Sequence, residues 1–158
     1  MSGSRSHDLV ILIIIVALGS ALFGGIGVRR APPFTLCDLR GREYTFDGLG
    51  PAFINMTCVD CPQCKERVPQ DRIVSVQARG FGLRVLNILV YADLRSGPRF
   101  IEETRPVADL FVVDPRAHVA KKAYRCKDEA CWVLVDRQGV IRFQGADPER
   151  LVACMPTL

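Results

Sequence analysis

From residue 34 onward, short apolar runs alternate with charged stretches of helical period, and this alternation lays out the chain. Phe34 to Phe46 predicts a hairpin in which Gly41 separates two short runs. Phe53-Ile54-Asn55-Met56 is a short apolar strand, and Pro62 behind it suits the first turn of a helix reaching about Gln77, kinked at Pro69 and ended by Gly80 and Gly82. Leu83 to Tyr91 is apolar almost throughout, as expected for a central strand covered on both faces. Asp93 to Pro98 reads as a loop, Arg99 to about Ala108 as a short helix, Leu110 to Val113 as a strand, and Pro115 to Tyr124 as a helix with Pro115 in its first turn. Trp132 to Asp136, a turn at Arg137-Gln138-Gly139, and Val140 to Phe143 predict a hairpin before a last helix from Pro148. Strand and helix alternation that closes with a hairpin implies an α/β sandwich with a mixed sheet.

A different pattern precedes this body. Leu9 to Val28 carries no charge and only Ser20 as a polar side chain, about the twenty residues a helix needs to cross a bilayer. We expect one membrane span at 9–28, after a tail of 1–8 and before a linker of 29–33 whose Pro32 and Pro33 resist helix continuation. A cleaved signal peptide is the rival reading, because Ala17-Leu18-Gly19 offers small residues, but the apolar run continues past them. The remaining body, 34–158, is the size of one domain. Its net charge of +4 is too small and too scattered for a nucleic-acid footprint, so no nucleic-acid partner is expected. Seven cysteines in 158 residues suit an oxidising compartment, placing the body on the periplasmic side. Arg5 against Arg29 and Arg30 votes weakly for the opposite orientation.

The chemistry concentrates in Cys58, Cys61 and Cys64, spaced three residues apart in Thr57-Cys58-Val59-Asp60-Cys61-Pro62-Gln63-Cys64-Lys65. Thiolates this close either exchange disulfides or hold a metal. Cys126 and Cys131 add two more thiols just before a strand.

Phe53 to Met56 before Cys61-Pro62-Gln63-Cys64-Lys65, Asp114-Pro115 with Val119 to Tyr124, and Val133 to Ile141 together resemble the thioredoxin-like redoxins, especially membrane-anchored ones. The resemblance runs from about Pro33 to the C terminus. It implies a thioredoxin-like fold, thiol-disulfide exchange with protein thiols or disulfides outside the cytoplasm, and no cofactor. With Cys61 at a helix start, unpaired backbone N–H groups and the helix dipole favour its thiolate, so Cys61 is the expected nucleophile. Cys64, one turn on, is the expected resolving thiol. Lys65 and Arg67 would help the Cys61 thiolate, and Asp60 would oppose it.

Several positions depart from the family pattern. The cis-proline expected six residues before Asp136 is replaced by Ala130, which would bring Cys131 and Cys126 near Cys61. A peroxide-reducing relative would carry a threonine where Cys58 stands and an arginine near Ala130, so both activators are missing. The rival from another class is a metal-binding or assembly subunit in which Cys58, Cys61, Cys64, Cys126 and Cys131 hold zinc, copper or an iron-sulfur cluster. Copper delivery in the Sco manner would need a later histidine, and His118 beside Val119 and Ala120 reads as a surface residue. Cys126 and Cys131 are expected to form a disulfide that stiffens their loop, and Cys37 and Cys154 to be buried small apolar residues. Trp132 and Phe143 read as core, and Asp136 with Gly139 as turn chemistry.

Overall fold

The computed structural model describes residues 27–127 and 130–158. The span expected at 9–28 therefore lies almost wholly outside the described residues, and among these no helix is long and apolar enough to cross a membrane.

Seven strands form one mixed sheet in the order β2-β1-β5-β4-β3-β6-β7. They are β1 (Phe34–Asp38), β2 (Glu43–Phe46), β3 (Ala52–Cys58), β4 (Arg84–Val90), β5 (Leu110–Asp114), β6 (Cys131–Val135) and β7 (Ile141–Gly145). β4 is central, parallel to both β3 and β5, and buried from Val85 to Val90, as its unbroken apolar run demands. β6 joins β3 antiparallel, with Met56 opposite Cys131, and β7 closes the hairpin. Among the described residues the α-helices are α1 (Pro62–Gly80), α2 (Ser96–Thr104) and α3 (Pro148–Cys154). α1 and α3 bury Val74, Ala78 and Leu151 against Phe53, Val85, Trp132 and Leu134. On the other face, Ile54, Met56, Leu86 and Ile88 pack with Val119, Ala120 and Tyr124.

Local differences from the sequence expectation have identifiable causes. α1 continues through Pro69 to Gly80 without a break. α2 starts earlier than expected, at Ser96, where the Asp93 carboxylate accepts from the Arg95 and Ser96 backbone N–H groups, and stops at Thr104 because Arg105 turns left-handed at φ 49°. The helix expected over Pro115 to Tyr124 is a shorter π-helical turn, His118–Ala123. Ala117 precedes it at φ 54°, and the buried Asp114 carboxylate accepts from the N–H groups of His118, Val119 and Ala120, so the turn is anchored from the end of β5 rather than from Pro115. Residues 29–31, expected within a linker, instead extend the hairpin edge: Ala31 N–H donates to Gly139 O and Ile141 N–H to Arg29 O, each at 2.8 Å.

Asp136 organises the β6–β7 turn. Its carboxylate accepts from the backbone N–H of Gln138 (2.9 Å) and Val140 (2.8 Å) and from Arg142 Nε (2.6 Å), with 2% of its side chain exposed. Burial pushes its pKa up, but the Val140 hydrogen bond and the Arg142 bond and charge outweigh this and hold it below the ordinary 3.8. Asp136→Asn should therefore cost about 2 kcal/mol at neutral pH. A lowered folded pKa gives stability that is present above the ordinary aspartate range and is lost as pH falls through the folded value. Urea unfolding should accordingly show the gap between wild type and variant closing in acid; a gap independent of pH contradicts this role.

Candidate functional site

β3 extends two residues beyond the expected strand, to Cys58, and Val59-Asp60 then turns the chain into α1. Cys61 is the N-cap residue, with extended backbone (φ −94°, ψ 118°), and Pro62 opens the helix, where a missing N–H costs nothing. The Cys61 carbonyl accepts from the N–H of Cys64 (3.1 Å) and Lys65 (3.2 Å), which fixes both cysteines on the first turn. Cys61 is half-exposed, whereas Cys64 is 6% and Cys58 is 2% exposed.

Cys58, Cys61 and Cys64 come together with Ala130 and Tyr91 in one small cluster. Burial pushes the Cys64 thiol up, and its side-chain hydrogen bond with Cys61 and the neighbouring Cys61 and Cys58 push it further, to about 12, against the opposing pull of a Cys58 backbone hydrogen bond. Cys64 thus keeps its proton and is the donor in that bond, with the Cys61 sulfur accepting. One thiol is half-exposed at a helix N-terminus; the other is buried and protonated. This division of labour suits attack by Cys61 and later resolution by Cys64.

Both cations expected to assist Cys61 have carboxylate partners of their own. Lys65 Nζ lies 3.4 Å from Glu103 Oε2, and Arg67 Nε donates to Asp71 Oδ1 at 3.1 Å. Asp71 was not singled out in the sequence. It is 2% exposed on the inner side of α1, and it also accepts from Trp132 Nε1 at 2.9 Å while the Arg67 guanidinium sits 5.1 Å over the indole. Burial pushes the Asp71 pKa up, against the pull of Arg67, Asn55 and Trp132. Arg67, Asp71 and Trp132 bind α1 to β6 directly beneath the cysteine turn.

Ala130 occupies the place facing the cysteines where a proline was expected, and it touches the Cys58–Cys64 cluster. Cys126 and Cys131 on either side of its loop are joined in a disulfide, with Cα atoms 6.1 Å apart. The Met56 Sδ lies 3.5 Å from Cys126 Sγ and 3.9 Å from Cys131 Sγ, so the bridge is packed on β3. A groove of about 460 Å³ runs past Cys61, Cys64, Arg67, Lys127 and Ala130. A second, lined by Arg125, Cys126, Lys127, Ala130 and Cys131, adjoins it through their shared Lys127 and Ala130.

The other candidates separate from this site. Because Cys126 and Cys131 bind each other, the five thiols are not available together as ligands, and among the described residues no three His, Cys, Asp or Glu side chains are arranged to hold a metal ion. His118 is exposed on the π-helical turn. Cys37 and Cys154 are half-buried rather than fully buried, since β1 lies one strand from the sheet edge and Cys154 ends α3.

No family model matches the chain, and no curated protein does. Solved structures do. A disulfide oxidoreductase secreted by Mycobacterium tuberculosis, homologous to E. coli DsbE, is 17% identical, with 79% of this chain and 96% of that one covered at a TM-score of 0.60. A thiol-disulfide oxidoreductase from Bacteroides fragilis is 18% identical, with 82% and 98% covered and a TM-score of 0.67. The thioredoxin domain of a thiol-disulfide oxidoreductase from Bacteroides vulgatus is 16% identical, with 82% and 95% covered at 0.67. Sheet order, the strand-to-helix cysteine turn and these likenesses together show that the chain has the thioredoxin-like fold.

Proposed function

We propose that this protein is a thiol-disulfide oxidoreductase that acts on protein thiols or disulfides outside the cytoplasm, held at the membrane through residues 9–28. Cys61 attacks a partner's disulfide, forming a mixed disulfide and releasing one partner thiolate. Cys64 then attacks the Cys61 sulfur, releasing the second partner thiol and leaving Cys61 and Cys64 oxidised. The observation that carries the reading is the pairing of a half-exposed Cys61 at the N-terminus of α1 with a buried Cys64 one turn on, in one cluster. The Cys126–Cys131 bridge and the cysteine content support an oxidising compartment.

The test uses Cys64→Ser with a disulfide-bonded model protein. Without the resolving thiol, a covalent adduct through Cys61 should accumulate to near one per chain and dissolve on adding reductant, while the wild type turns over with a dithiol donor. Turnover by Cys64→Ser at the wild-type rate, with no adduct, would sink the assignment.

A further inference from the structure

The buried Cys58 thiol has no part in the two-cysteine cycle, yet it sits in the same cluster as both members of the pair. β3 ends on Cys58, and a Cys58 backbone hydrogen bond reaches Cys64, which sets the first turn of α1 against the strand end. Cys58 and Cys64 are also the two most buried cysteines of the triplet, at 2% and 6% exposure, whereas Cys61 is half-exposed. A bridge between the buried two would leave the outward one reduced.

We propose that Cys58 is a third exchanging thiol, which attacks the Cys64 sulfur of the Cys61–Cys64 disulfide and so moves the bridge inward to Cys58–Cys64. The Cys64–Cys58 bond forms as the Cys64–Cys61 bond breaks. The Cys61 sulfur leaves as a thiolate at the helix N-terminus, or takes the proton that Cys58 sheds. One disulfide is lost and one gained, so no outside oxidant or reductant is required. The oxidised protein then presents a reduced Cys61 to the groove while its oxidising equivalent is stored beneath. In this form Cys61 can capture a partner disulfide but Cys64 is not free to resolve it. The mixed disulfide persists long enough for the partner's own second thiol to displace Cys61, which rearranges the partner's disulfides without net oxidation or reduction.

This inference rests on the Cys61–Cys64 redox pair, and the experiment separates the two. The full-length protein is oxidised with one equivalent of oxidised glutathione, quenched in acid, alkylated and mapped by mass spectrometry, alongside Cys61→Ser and Cys58→Ser. The near-ultraviolet signal of the buried Trp132 checks the fold of each. Wild type should yield two bridged isomers, Cys61–Cys64 and Cys58–Cys64, with Cys61 alkylated in the second; Cys58→Ser should yield the first alone, and Cys61→Ser, which lacks the half-exposed nucleophile, should keep Cys58 and Cys64 reduced. Wild type that bridges Cys61 to Cys64 with Cys58 alkylated in every molecule overturns the exchange step, even if Cys61→Ser can bridge. Failure of Cys58→Ser to bridge Cys61 to Cys64 overturns the redox pair itself.

Discussion

Cys61→Ser should abolish catalysed disulfide reduction, lowering the rate at least about a thousand-fold, to the background of the free dithiol. A serine hydroxyl cannot form a disulfide, and Cys64 cannot substitute for the lost nucleophile. Its thiol is buried and held at about 12, so at neutral pH almost none of it is thiolate. The variant should fold normally, because Cys61 contributes its backbone carbonyl, not its side chain, to the start of α1. The check is an insulin-type reduction assay run beside thermal unfolding. A Cys61→Ser protein that keeps more than about a tenth of wild-type activity would move the nucleophile elsewhere, with Cys58 the next to examine.

The sheet was legible in the sequence because its strands are short, apolar and punctuated by glycine and proline. The Leu83 to Tyr91 run supplies β4, which is buried from Val85 to Val90 on both faces, as a strand in the middle of the sheet must be. The cysteine turn was legible for a similar reason, since Pro62 can open a helix but cannot sit inside one at low cost. The π-helical turn was not. Asp114-Pro115 resembles an ordinary helix start, and what decides the backbone is the Asp114 carboxylate reaching N–H groups up to six residues ahead, after a left-handed Ala117.

Within the site, the first-turn placement of Cys61 and Cys64 could be read locally, but their support could not. Asp71 sits in a charged stretch whose aspartates ordinarily face water, and its donor Trp132 is 61 residues away. Only the pairing of α1 with β6 reveals that the carboxylate points inward. The Cys58 neighbourhood was likewise hidden, because whether the third thiol belongs to the strand or to the loop depends on where β3 ends.

Trp132→Ala should be the most destabilising core substitution at this site, costing about 3–5 kcal/mol, a large part of the 5–15 kcal/mol typical of a domain. Trp132 is fully buried, so truncation leaves a cavity, and it also strips the Asp71 carboxylate of its indole donor. Trp132→Phe separates the two effects: it retains most of the ring volume and leaves Asp71 short of one hydrogen bond, for about 1–3 kcal/mol. The pH dependence identifies that second component. Asp71 is already raised above 3.8 by burial, and losing the indole N–H raises it further, so the folded variant holds its proton to higher pH. A raised folded pKa gives stability that is complete below the unfolded value and is lost as pH climbs through the folded one. The penalty of Trp132→Phe, read from urea unfolding of both proteins, should therefore be small near about pH 4 and larger near about pH 7. Equal penalties at the two pH values would show that the Trp132–Asp71 bond contributes nothing, and that the indole holds α1 above β6 by packing alone.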